Sequence, residues 1–117
     1  MGKIAISVNG IKPKNLYPSF IIGSSAIASG DDVIYYFNPE AAPALKKGVF
    51  EEIKGKGYPD LIDLVDGVQL LGGRIFMCEL GLEVHDMTKE ELRDGVEVVG
   101  ATTFVAEVSD ATLSFSF

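Results

Sequence analysis

The chain has 117 residues, a formal net charge of −7 and 47% apolar residues, which describes one globular domain spanning residues 1–117. The acidic surplus argues against binding nucleic-acid phosphates, and a single cysteine excludes an internal disulfide. The longest apolar run, Phe20 to Ala28, is interrupted by Gly23, Ser24 and Ser25 and falls far short of the roughly 20 residues that span a bilayer, so no membrane partner is expected.

Met1-Gly2-Lys3 leads straight into a strand with no signal peptide, and a cytoplasmic location is expected. That strand is Lys3 to Val8 (KIAISV). Asn9-Gly10 breaks it, and Pro13 keeps the next residues out of helix. Asn15 is read as the cap of a helix from about Leu16 to Ser29, with Pro18 tolerated in its first turn. Phe20, Ser24 and Ile27 share a side, and the small residues Gly23 to Ala26 let the helix lie close on a sheet. Gly30 ends it. Val33 to Phe37 (VIYYF) is an unalternated apolar strand, as suits a parallel sheet covered on both faces.

Asn38 to Pro59 is punctuated by proline and glycine. It reads as a solvated surface excursion with a short helix near Glu40 to Lys47 and a turn at Val49 to Lys54. Asp60 to Leu71 is an amphipathic helix, with Leu61, Leu64, Val65, Val68 and Leu71 on one face and Gly72-Gly73 at its end. Ile75-Phe76-Met77 is a buried strand ending on Cys78. Glu79 to Met87 follows as helix, with Leu80, Val84 and Met87 spaced along one face. Thr88-Lys89-Glu90-Glu91 is a capping box that opens a short helix to Asp94, closed by Gly95. Val96 to Val99 is a strand, and Gly100 to Ser109 a helix with Phe104 and Val108 facing inward. In Ala111 to Phe117, Leu113, Phe115 and Phe117 alternate with Ser114 and Ser116 as in a half-exposed strand. Five strands alternating with helices predict a doubly wound α/β sheet, mostly parallel, with right-handed crossovers.

Cys78 is the candidate for chemistry. It sits where a strand ends and a helix begins, the edge at which open α/β sheets collect ligands. Free N–H groups there favour a thiolate, while the neighbouring Glu79 carboxylate opposes it. The competing reading is a small buried hydrophobe that finishes a strand. With no second cysteine a dithiol cycle within one chain is impossible, but a persulfide or a mixed disulfide with a partner is not. His85, seven residues on, lies about 10 Å along a regular helix, too far for a direct pair. One cysteine and one histidine leave any closed zinc shell dependent on carboxylates at no recognised spacing, so no metal site is expected. Asn9-Gly10 is neither a Walker A loop nor GxGxxG, and no cofactor is implied.

Around Cys78 the sequence resembles the DsrE/DsrF-like family of small sulfur-relay proteins, in a DsrE-like branch sometimes labelled peroxiredoxin-like. The resemblance rests on Phe76-Met77-Cys78, the apolar-spaced helix after it, Lys89-Glu90-Glu91-Leu92, Asp94 to Val98, Gly100-Ala101 and Thr103-Phe104. It implies a three-layer α/β/α sandwich around a five-stranded parallel sheet, assembled into oligomers. It further implies sulfurtransferase-like chemistry, in which the cysteine at this strand end takes sulfane sulfur as a persulfide and hands it on. Cys78 matches that position.

The resulting expectation is a sulfur carrier working through Cys78. Its partners are sulfur donor and acceptor proteins or small sulfane-sulfur compounds. Asn9, Gly10 and Gly100 are expected to line the site, because the loops after their strands open on one edge of the sheet. The alternative is a non-catalytic oligomeric binding or regulatory module with an inert Cys78. A homo-oligomer is expected on the resemblance and because the Leu113, Phe115, Phe117 row needs cover at a sheet edge.

Overall fold

The computed structural model describes residues 2–117. Strands β1 (Lys3–Val8), β2 (Asp32–Phe37), β3 (Arg74–Cys78), β4 (Val96–Val99) and β5 (Leu113–Ser116) form one sheet in the order β4-β3-β2-β1-β5. Every neighbouring pair is parallel. The helices are α1 (Pro13–Ala28), α2 (Val49–Glu52), α3 (Leu61–Leu70), α4 (Leu80–Val84) and α5 (Ala101–Glu107). They lie on both sides of the sheet, which gives the expected α/β sandwich. No helix among the described residues is long and apolar enough to cross a membrane.

The period-2 geometry of a strand sends alternate side chains to opposite faces. On the first face Ile4, Ile6, Val8, Val33, Tyr35, Phe37, Ile75 and Met77 form one core with residues of α1, α2 and α3. Helix α1 can lie this close because of Gly23. A methyl placed there would overlap the Tyr35 hydroxyl, which donates 2.9 Å to the Ser19 carbonyl. On the second face Ile34, Tyr36, Phe76 and Cys78 form a smaller cluster, with half-buried Val99, Phe104 and Val108 packed against it. The β4-to-β5 connection carries α5 across that face to the opposite sheet edge. Beside α5 a groove of about 280 Å³ stays open over Ala5, Ser7, Ser114 and Ser116.

Four local expectations are corrected. Helix α1 begins at Pro13 rather than Leu16. The first helical position needs no N–H partner, so a proline starts the helix there instead of blocking it. Asn15 accepts the Lys12 N–H at 3.2 Å and closes that turn from inside. Second, the Asn38 to Pro59 segment is a solvated excursion only in its latter part, from Glu51 onward. Pro39–Leu45 forms a 3-10 turn in which Ala41, Ala42, Ala44 and Leu45 are fully buried, and Phe50 of α2 is buried too. Third, α4 is only five residues long, because Asp86 turns into the left-handed region at φ 50°. Leu80 and Val84 face outward at 58% exposure each, while Met87 turns back into the core. Fourth, the capping box is present, with the Thr88 N–H donating 2.9 Å to Glu91 Oε1, but the turn it opens is the three-residue Lys89–Glu91.

Candidate functional site around Cys78

Cys78 ends β3 and points to the second face, where it is 6% exposed. Val99 of β4 lies beside it in register, and the Val99 carbonyl accepts the Glu79 N–H at 3.0 Å, which continues the ladder one residue past the cysteine. The Glu79 side chain lies over Gly100, where an added methyl would come 3.3 Å from its Oε1. Phe104 of α5 closes the cysteine's surroundings by stacking on Tyr36, with ring centroids 4.4 Å apart and planes 9° from parallel.

The Tyr36 hydroxyl lies beside the Cys78 side chain in one buried cluster, and burial first, then Cys78 and Glu79, makes loss of its proton harder. Burial is the largest cause and acts in the same direction, so the phenol stays protonated well above its ordinary range. Among the described residues it is the one buried side-chain oxygen or nitrogen with no hydrogen-bond partner of full geometry. An unpaired buried hydroxyl costs on the order of 1–3 kcal/mol.

Along the same carboxyl edge lies a polar row. Asn38 Nδ2 donates to Ser7 Oγ at 2.8 Å and to Asn9 Oδ1 at 2.7 Å, and Asn9 Nδ2 donates to Ser116 Oγ at 2.8 Å. The structure therefore separates the loop residues named from the sequence. Gly100 lies at the cysteine, against Glu79. Asn9 stands at the end of β1 and reaches the β2 end through Asn38. Gly10 sits farther off, against the Asn15 side chain at the start of α1. His85 is engaged elsewhere: its Nε2 lies 2.7 Å from the Pro39 carbonyl, which accepts the ring N–H. Among the described residues no group of three or more His, Cys, Asp or Glu side chains is arranged to hold a metal ion.

The DsrE/DsrF/DrsH-like family model matches residues 38–115, from the end of β2 through β5. The chain belongs to that family. It is 28% identical over 93 residues to the uncharacterized protein MJ0760 of Methanocaldococcus jannaschii. The matched part is 80% of this chain but 34% of that relative, so the chain spans about a third of its length. The fold matches the crystal structure of the ychN protein from E. coli with a TM-score of 0.82, at 20% identity and over 100% of both chains. It also matches MTH1491 of Methanobacterium thermoautotrophicum, a protein of unknown function, with a TM-score of 0.73 at 12% identity over 98% of this chain and 97% of that one.

In this DsrE/DsrF/DrsH-like domain the residues that sequence reasoning passed over are Tyr36, Asn38 and Ser7. Tyr36 lies within VIYYF, where every side chain is apolar or aromatic and no alternation marks which face each one takes. The β2–β3 register decides it, setting Tyr36 beside Phe76 and so one step from Cys78 on the same face.

Proposed function

We propose that this DsrE/DsrF/DrsH-like protein carries sulfane sulfur on Cys78. The Cys78 thiolate attacks the outer sulfur of a donor and forms a new S–S bond, while the donor's bond to that sulfur breaks. With thiosulfate the leaving group is sulfite, which departs with the bonding electron pair. The exchange needs no external oxidant or reductant. A partner's thiolate then takes the outer sulfur in the same manner and returns the Cys78 thiolate. The observation that carries this reading is the lone thiol at the carboxyl end of β3, covered only by the short helix α5 and faced by a hydroxyl with no partner.

The partners on this reading are sulfur donor and acceptor proteins or small sulfane-sulfur compounds. A reducing cytoplasm keeps the thiol available between transfers. Self-association belongs to the same proposal. Strand β5 is a sheet edge with Leu113 57% exposed, and Leu80 and Val84 form an apolar step next to the cysteine.

The test is intact-mass spectrometry after incubation with thiosulfate, tetrathionate or polysulfide, beside a Cys78→Ser control. A donor-dependent adduct that reductant removes, absent from the control, is the expected result. The burial of Cys78 favours a second reading, a non-catalytic binding module that keeps the fold. Alkylation decides between them: labelling of the native protein near neutral pH fits the carrier, and labelling only in denaturant fits the module. Sedimentation of the native protein tests self-association separately, and a monomer at all concentrations ends that part of the proposal.

A further inference from the structure

We propose that Tyr36 is a second functional residue of the Cys78 site, its hydroxyl donating a hydrogen bond to the Cys78 sulfur whenever that sulfur is anionic. The inference rests on the reading of Cys78 as a reactive sulfur and names the group that stabilises it.

The contrast among the tyrosines points there. Tyr17 donates to the Pro59 carbonyl at 3.0 Å, and Tyr35 to the Ser19 carbonyl at 2.9 Å. Tyr36 is 5% exposed and has no such partner. Its ring is held by the stack on Phe104, and its hydroxyl is shut away from solvent. Phenylalanine would fill the same space without burying a donor, so packing alone does not account for the oxygen. An anionic sulfur does, because a hydrogen bond to a charged acceptor is roughly twice as strong as a neutral one. A thiol accepts only weakly and leaves the hydroxyl unsatisfied.

The surrounding charges define what Tyr36 works against. On the α4 side Glu79 is the near carboxylate, and its charge acts on the Tyr36 hydroxyl. His85 bonds to Pro39 instead. Arg74, at the opposite end of β3, is paired with Glu97 of β4 and Glu107 of α5. Lys3, on β1, is paired with Asp110. None of these cations is placed beside the cysteine, and the Tyr36 O–H is a buried donor without an acceptor in the same cluster. It keeps its own proton throughout, since burial, Cys78 and Glu79 all oppose its ionisation. The step is therefore a hydrogen bond to sulfur and not a proton transfer.

The experiment is the pH dependence of Cys78 alkylation in the wild type and in Tyr36→Phe. Losing a hydrogen bond worth about one pKa unit moves the midpoint up by that unit and lowers the rate near neutral pH roughly tenfold, with the two profiles meeting once both thiols are ionised. A change in packing alone scales the rate equally at every pH, and profiles with coincident midpoints overturn the proposal. A second measurement needs no variant at Tyr36. In protein carrying isotope-labelled tyrosine, the Tyr36 Cζ resonance is expected to titrate with the thiol midpoint and to stay flat there in Cys78→Ser. A flat wild-type resonance also overturns the proposal. A displaced midpoint without any sulfane adduct would remove sulfur carriage and keep the tyrosine's role. An intact adduct with coincident midpoints would do the reverse.

Discussion

The two faces of the sheet are built from the same strands and do different work. The first face is sealed by α1, α3 and the buried alanines after Asn38, with Phe20, Tyr35, Phe37 and Phe50 fully shielded at its centre. Among the described residues the second has five buried sheet residues, Ala5, Ile34, Tyr36, Phe76 and Cys78, and one seven-residue helix over that side. Burial on the first face is redundant, with many side chains sharing each contact. On the second, Phe104 alone stacks on Tyr36 and meets Phe76 edge-on. Stability therefore resides mainly on one side and accessibility can be adjusted on the other, which is where the cysteine lies.

The largest test of that division is Phe20→Ala. Its ring is unexposed and stacks on Tyr35 at 4.5 Å. Denaturant unfolding is expected to show a loss of about 3–5 kcal/mol. Gly23→Ala sharpens the same point. Replacing a mid-helix glycine gains up to about 1 kcal/mol, but the overlap with Tyr35 costs about 1–3 kcal/mol, so the variant is destabilised. The double variant with Tyr35→Phe is expected to recover part of the loss, because the ring carbon beneath the hydroxyl is still close.

Phe104→Ala is the matching change on the second face. Half-buried Phe104 has less surface to lose, and a penalty of roughly 1–2 kcal/mol is expected, with the Cys78 alkylation rate rising several-fold. A penalty as large as that of Phe20→Ala, or an unchanged rate, would break the comparison. Arg74→Gln is smaller still. Arg74 joins Glu97 at 3.1 Å and Glu107 at 3.4 Å, but its side chain is 43% exposed. Water screens both pairs, so the expected loss is under about 1 kcal/mol and shrinks with added salt.

The smallest effect is on the acid limb of stability. The Thr88 N–H, and then Lys46, hold the Glu91 carboxyl below its usual range, and Lys3 does the same for Asp110. Their contribution is full above the unfolded carboxylate value of about 4 and is lost as the pH falls through the lower folded values. Glu91→Gln should flatten that part of a stability–pH curve and lower neutral stability by the same small amount, bringing the two curves together in acid.

The strands were legible because each is a compact β-forming run, the first four with Gly, Asn or Asp at one end or both, and the inward Phe104 and Val108 followed from helical spacing. Helix α4 was overextended because Leu80, Val84 and Met87 fit a helical period that the backbone abandons at Asp86. The alanines of Pro39–Leu45 carry no periodic signal, so their burial was invisible until α4 and the sheet edge closed on them. Cys78 could be placed at a strand end from its neighbours alone. Its walls could not, because Tyr36 and Phe104 reach it only through the β2–β3 register and the long β4-to-β5 crossing.

That crossing also orders events in time. Strand β1 is interior, yet its β5 neighbour lies more than a hundred residues later, with Ile4 paired to Leu113. At synthesis rates of about 5–20 residues per second, β1 emerges roughly 5–20 s before β5 exists. Throughout that interval one edge of β1 is an open ladder; from the completion of β3 it stands beside an unroofed cysteine face, and both close in a single late step when α5 and β5 arrive.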